Sequence, residues 1–325
     1  MAGSRHDHFP LADVPRRQRM RRAATALAAE WEARDRAPDG LIAAMRAVEC
    51  APPDIAIAAL APWTDDVGWL SERIGQAMAL LADDGFARPA LRPVGDSGFG
   101  GLLLAEAGPI RLSLLVRRVE AAGACDTATA LFAPGRTRIR ILAAGGAMLH
   151  HYRVDVSADE EAGGFTAAAA APCIRAAPRP LRTGEVLTLD TAREAIALGG
   201  GTGDVLMLEL AVQPPSPLPV RAYDVDSGRL VHVSSSRRDS SFRGMALALL
   251  RTLGRADAAP LFVGETQAAD FAARWNAMRE LVALDPAAAR ARLADMAASD
   301  PHSEVRRAAA ATLALFVEEP APCLA

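Results

Sequence analysis

The residues that could do chemistry in this chain are few and widely spaced. His150 and His151 stand side by side in Met148-Leu149-His150-His151-Tyr152, and His232 lies in Leu230-Val231-His232-Val233-Ser234. A two-histidine, one-carboxylate iron site needs three ligands that converge on one point. Neighbours on a strand point to opposite faces, so His150 and His151 do not share a metal. His150 falls with Met148, Tyr152, Val154 and Val156 on an apolar, inward face, and His151 with Arg153 and Asp155 on a polar one. His150 and His232 remain as a metal pair without a third ligand, so the reading is no metal, no cofactor and no catalytic residue.

What those positions offer instead is a pocket. His150, Tyr152, Arg193 and Glu194 are the candidates to line it, with the guanidinium fixing a carboxylate of a small acidic ligand and the ring stacking on its apolar part. The competing reading puts Arg193 and Glu194 on an exposed loop. All 36 basic residues are Arg. Without lysine there is no phosphate-loop amine, no Schiff base and no kinase-type strand lysine. Gly199-Gly200-Gly201-Thr202-Gly203-Asp204 precedes a strand instead of opening a helix, so it reads as a flexible hairpin and not a phosphate cradle. His6-Asp7-His8 has metal-like spacing at a terminus, where adventitious binding is the commoner case. Ser234-Ser235-Ser236 has no glycine elbow around a nucleophile.

These residues must be positioned by three kinds of segment. Residues 11–85 read as helices: Val14 to Arg34, with Met20, Ala24, Leu27, Ala28 and Trp31 at helical spacing, Leu41 to Val48, an interruption at Pro52-Pro53, and Asp65 to Ala82. From Phe86 to Ser236 short alternating runs separated by Gly and Pro predict strands, among them Ile110–Arg117, Thr137–Leu142, Met148–Val156, Gly184–Asp190 and Asp204–Val212. Val220–Val225 and Arg229–Ser234 flank Asp226-Ser227-Gly228, a hairpin turn. No long helical crossover separates the strands, so the sheet is expected to be mainly antiparallel. Helices return after Ser236. One is capped by Ser240 or Ser241 and runs through Met245, Leu249, Leu250 and Leu253. Asp270–Leu284, Pro286–Ala298 and Pro301–Val317 follow. Asp285-Pro286 and Asp300-Pro301 place a cap and a first-turn proline at the last two.

Two family resemblances attach to these segments. Gly145-Gly146-Ala147-Met148-Leu149-His150-His151-Tyr152 resembles the first motif of the cupins, in which a glycine precedes a strand bearing metal-binding histidines. Leu181-Arg182-Thr183-Gly184-Glu185-Val186-Leu187-Thr188-Leu189-Asp190 resembles the second motif. The family spaces its first histidines two apart and places another after the second strand. Here they are adjacent, and Thr191 to Ile196 holds none. The resemblance therefore implies a small jelly-roll barrel of degenerate, metal-free type. His302-Ser303-Glu304-Val305-Arg306-Arg307-Ala308-Ala309 resembles the second helix of a HEAT-type repeat, a scaffold for binding. The last three helices together cover about one and a half repeats where a free-standing solenoid needs about three, so the piece is expected to dock on the rest of the chain.

The expectation is an α+β protein in three parts: a helical region over 1–85, a cupin-like antiparallel β domain over 86–236 and a HEAT-like helical segment over 237–325. Its function is expected to be non-catalytic binding or regulation through a protein partner or self-association, with Arg274, Arg279, Arg306 and Arg307 as the partner surface. One alternative is a cupin-type metal-dependent oxygenase using His150 and His232. Another is nucleic-acid binding through Arg16, Arg17, Arg19, Arg21 and Arg22. Glu30, Glu32 and Asp35 follow those arginines and the net charge is −3, so nucleic acid is not the expected partner. No apolar run reaches membrane-spanning length. The polar opening and the scattered Cys50, Cys125, Cys173 and Cys323 point to a reducing, cytoplasmic setting, and the absence of lysine with the heavy alanine content points to a bacterium of GC-rich genome.

Overall fold

The structure, a computed structural model, describes residues 13–95, 99–118 and 128–316. His6-Asp7-His8, Cys125, Cys323 and the tail from Glu318 lie outside the described residues. Cys50 and Cys173 are free thiols, the first exposed and the second buried.

The N-terminal region forms α1 (Val14–Arg36), α2 (Leu41–Ala47), α3 (Pro53–Leu60), the single turn α4 (Pro62–Asp65) and α5 (Gly68–Asp83). Asp13 caps α1 by accepting the Arg16 N–H at 2.9 Å. The Pro52-Pro53 pair, expected only to interrupt, opens α3 instead, because proline fits a first helical turn whose N–H has no partner. Arg73 of α5 lies between Trp31 and Trp69, 5.2 and 5.3 Å from their ring centres, and pairs with Asp35 at 2.6 Å. That cation–π stack and ion pair join α1 to α5 where Trp31 and Arg73 are both buried.

Thirteen strands follow in the described residues, in three antiparallel sheets. The largest has the order β1 (Arg92–Gly95), β2 (Gly100–Ala107), β3 (Ile110–Arg117), β11 (Val205–Val212), β5 (Arg136–Ala143) and β9 (Val186–Asp190). The second pairs β10 (Glu194–Gly199) with β6 (Met148–Arg153), which also meets the short β7 (Ile174–Arg175) and β8 (Arg179–Pro180). The third has the order β13 (Leu230–Ser234), β12 (Val220–Asp224) and β4 (Thr129–Phe132).

Period-two alternation decides which side of β11 meets what. Leu208, Leu210 and Val212 pack against Leu41, Met45, Ile57, Leu60 and Leu70 of the helices. Val205 and Met207 face the other way and pack with Ile139, Ile141, Leu149, Leu181 and Leu198 between the two larger sheets. The third sheet closes on β6 and β10 through Phe132, Tyr223, Tyr152 and Ala195, with Phe132 and Tyr223 edge to face at 5.4 Å.

The Asp226-Ser227-Gly228 turn joins β12 to β13 as a hairpin. Gly228 has φ +66°, and a Cβ there would lie 2.5 Å from the Cys173 carbonyl oxygen, so the position accepts only glycine without strain. The 199–204 stretch is not a hairpin. β10 and β11 belong to different sheets, and the glycines carry the chain across while the Thr202 and Gly203 N–H groups donate to the Gly145 carbonyl at 2.8 and 3.0 Å.

The C-terminal region holds α6 (Arg238–Thr252), α7 (Ala259–Glu265), α8 (Phe271–Leu284), α9 (Pro286–Ser299) and α10 (Ser303–Leu315). Asp270 and Asp285 cap α8 and α9 by accepting the Ala273 and Ala288 N–H groups. The other two expected caps differ. α6 begins upstream of Ser240, with Ser235 Oγ accepting the Arg237 N–H. Asp300 does not cap α10; it accepts the His302 N–H and commits both oxygens to Arg274. The helices share a core of Leu247, Phe262, Met278, Leu281, Leu293, Met296 and Val305. They lean on the β region through His302, which stacks on Phe271 at 3.8 Å and places Nε2 2.8 Å from the Phe165 carbonyl oxygen. No helix among the described residues is long and apolar enough to cross a membrane.

Candidate functional site

The four residues proposed to line a pocket do not converge. His150 is 8% exposed and its Nδ1 accepts from the Arg175 guanidinium at 2.7 Å. Burial, and then the Arg175 charge, hold its pKa below the usual imidazole value. Tyr152 shares that face at 2% exposed, fills space among Phe132, Val154, Cys173 and Tyr223, and belongs to the core. Arg193 sits in the turn before β10 and is spent on Glu161, Asp190 and the Val156 carbonyl, at 2.8, 3.0 and 3.1 Å. Glu194 is the first residue of β10, not part of a loop. It takes the Asp190 N–H at 3.0 Å and lies 3.3 Å from His151 Nε2. The face bearing His151 also carries buried Leu149 and Leu198, so it is not the purely polar side the alternation implied.

His232 is exposed on β13, in a different sheet from His150, and the two are not brought together. Among the described residues no group of three or more His, Cys, Asp and Glu is placed to hold a metal ion.

One interior residue escaped the sequence reading. Arg221 is fully buried on β12, its guanidinium 6.0 and 5.7 Å from the Phe132 and Phe165 ring centres, and it donates to the Ala192 carbonyl. Burial pulls its pKa down, which is the cost of taking a guanidinium out of water, and Tyr223 and Glu160 offset that only in part. The available signal was its alternation with Tyr223 on one face of a short strand.

The four arginines proposed as a partner surface separate into two pairs. Arg274 is 7% exposed, bidentate to Asp300 at 2.9 and 2.8 Å, and donates also to the Ala268 and Ala269 carbonyls. It is an interior strut of the helical layer and not part of any surface. Arg306 donates to the Asp300 and Pro301 carbonyls at 2.6 and 3.1 Å, bracing the start of α10. Arg279 and Arg307 are exposed and make no ion pair or hydrogen bond with any described residue. Both line a groove of about 1010 Å3 between β13 and the helices α6, α8 and α10.

The walls of this groove are unequal. The helices supply Met245, Ala248, Phe271, Trp275, Val305 and Ala308 as an apolar floor. Six consecutive residues, Leu230 to Ser235, line the opposite wall. Alternate residues of a strand point to opposite faces, so a wall of consecutive residues means that β13 meets the groove with its edge. Among the described residues β13 is the outer strand of its sheet and pairs only with β12, which leaves its second row of backbone N–H and C=O groups open to any further strand. Of the two carboxylates at the rim, Glu280 is neutralised by Arg251 and Glu304 accepts the Ala168 N–H. Arg279 and Arg307 are thus the cations of the site without an ion pair, and Glu304 keeps its negative charge beside them. From sequence only the two arginines were visible; the sheet order that makes β13 an edge was not.

No family model matches this chain, and no curated protein matches it. Several solved structures overlap part of it. Ectoine synthase from P. lautus does so at 12% identity and TM-score 0.23, over 38% of this chain and 71% of its own. A sugar phosphate isomerase of the cupin superfamily from Silicibacter pomeroyi does so at 11% identity and TM-score 0.26, over 42% and 78%. A conserved protein of unknown function from Pseudomonas aeruginosa overlaps at 15% identity and TM-score 0.23, and the chain spans about half of its length, 51%. Overlaps of this extent leave the site to be judged on its own geometry. The chain is a mixed protein of helices and antiparallel sheets.

Proposed function

We propose that this protein is a non-catalytic binding or regulatory protein whose site is the groove between β13 and the C-terminal helices, and that its ligand is an extended acidic segment of a partner protein. The observation that carries the reading is an open strand edge facing an apolar floor, with two unpaired guanidinium groups at the rim. An extended peptide added to such an edge gains main-chain hydrogen bonds, while side chains on one of its faces reach the floor. Carboxylates on the other face would meet Arg279 and Arg307, which match them in charge and can bind them bidentately. A lone small acid would leave the strand edge unused, so the shape favours a peptide.

In this reading the central strands form a degenerate, metal-free cupin-like barrel that serves as scaffold, with Gly145 and Gly184 taking positive φ at the turns where the cupin motifs have glycine. The last helices act as a HEAT-like docking piece. The setting remains the cytoplasm.

The test is fluorescence anisotropy of a labelled peptide alternating valine and glutamate, titrated with the full chain and with the double variant Arg279→Glu, Arg307→Glu. Binding should weaken as salt rises and vanish in the variant. Equal binding by the variant, or by a valine–lysine peptide, would remove the proposal.

A further inference from the structure

α6 carries a feature that the groove touches only at Met245. A helix lying on the surface of a globular protein buries one apolar stripe and presents polar residues on the other side. α6 is apolar on both. Leu247 faces the helical core at 5% exposed, while on the opposite side Phe242, Met245, Leu249 and Leu253 are 69, 65, 59 and 63% exposed. Exposed Ala246 lies among them. Spacings of three, four and four keep the large residues on one strip about 16 Å long, with no charged side chain in it.

We infer that this strip is the interface of a two-fold dimer, in which α6 packs antiparallel on α6 of a second copy of this chain. The strip is self-complementary, as an isologous contact requires. About a two-fold axis at Leu247, Met245 meets Leu249 of the copy and Phe242 meets its Leu253. Small Ala246 lies beside the axis, where the two backbones come closest. The same register sets Asp239, in the first turn of the helix, opposite Arg255, just beyond its end; both side chains are more than half exposed and each has room for a second partner. A parallel pairing would set Asp239 on Asp239 and Arg255 on Arg255. Arg243 and Arg251 lie off the strip and are neutralised within the chain, by Asp239 and Glu265 and by Glu280.

Area supports the same occupant. The four large side chains expose about 435 Å2 together, taking roughly 170 Å2 for each when free, whereas a standard interface buries about 800 Å2 a side. The remainder is at hand. A depression of about 780 Å3 is walled by Phe242 and Met245 on one side and by Ala133, Pro134, Gln213 and Val220 on the other. In the two-fold register the Leu253 end of the copy's helix arrives over that depression.

The inference does not rest on the groove reading: the two share Met245 alone, and Phe242, Leu249 and Leu253 lie outside the groove, so they are scored separately. Sedimentation equilibrium of the full chain should give twice the chain mass, and Leu249→Glu should give the single mass with an unchanged circular dichroism spectrum. Under mild oxidation Ala246→Cys should form an intermolecular disulfide well above the level of the unmodified chain, and Phe242→Cys should not, because its neighbour across the axis is Leu253. A single mass for the unmodified chain, a dimer that survives Leu249→Glu, or equal cross-linking at both positions would overturn it. Binding of the valine–glutamate peptide by Leu249→Glu reports on the groove alone.

Discussion

Replacing Arg274 by alanine tests whether that residue is an interior strut. Its guanidinium is 7% exposed and the Asp300 side chain 2%, so neither charge is solvated in the folded chain. Two hydrogen bonds of 2.9 and 2.8 Å join them, and two more run to the Ala268 and Ala269 carbonyls. Removing one partner of a buried, bidentate pair leaves the other charge without compensation, which costs about 3–5 kcal/mol. Arg274→Met combined with Asp300→Asn removes both charges and keeps an oxygen for the His302 N–H. About half of the loss should return, a coupling of about 2 kcal/mol between the two sites. Urea unfolding of Arg274→Ala, Arg274→Met, Asp300→Asn and the double variant measures both quantities from midpoints and slopes. A loss below about 1 kcal/mol in Arg274→Ala, the level of an exposed pair, would refute the interior assignment and return Arg274 to the surface.

Three further perturbations probe the β region. Glu209 faces the interior on β11 between Ser113 and Ile139, and desolvation pushes its carboxyl above the usual range while Arg111 pulls it back. The folded chain holds that proton more tightly than the unfolded one, so stability falls as pH rises from the ordinary carboxylate value towards the raised one. Glu209→Gln should therefore stabilise at neutral pH and have no such effect below about pH 4, as followed by melting temperature across pH. His150 has the opposite linkage: its folded pKa is depressed, so the unfolded chain takes the proton first and stability is lost as pH falls below about 6.5. His150→Gln should flatten that acid limb in the same scan, and an unchanged limb would assign it to other groups. Gly228→Ala should cost about 1–3 kcal/mol from its left-handed backbone, with a further loss from the Cys173 carbonyl that the new Cβ would meet. Urea unfolding checks it.

Sequence made the local elements legible and left their partners hidden. The α1 stripe through Met20, Leu27 and Trp31, the β12–β13 turn and the aspartate cap at Asp285 all rest on interactions within a few residues. Asp300 was misread for the same reason. Asp-Pro satisfies the local grammar of a cap, but a buried guanidinium 26 positions upstream competes for the carboxylate and wins. The run of Met245, Leu249, Leu250 and Leu253 identified α6 as a helix without saying that Leu247 and Leu250 would claim the core, which turned Met245, Leu249 and Leu253 outward. The pocket reading placed His150 and Tyr152 on one face correctly. It could not foresee that Phe132 and Tyr223, from strands far along the chain, would fill the space before them. The groove was half visible: Arg279 and Arg307 were singled out, whereas the open edge of β13 depends on strand order, which no local pattern encodes.

The most direct measurement of the central claim is amide hydrogen exchange along β13, with and without the valine–glutamate peptide. An added strand would cap the row of N–H groups that β12 leaves open, so amides within Leu230–Ser234 should slow on peptide addition and return to the free rate in Arg279→Glu, Arg307→Glu. Peptide binding that leaves β13 exchange unchanged, with protection arising elsewhere, would contradict the account.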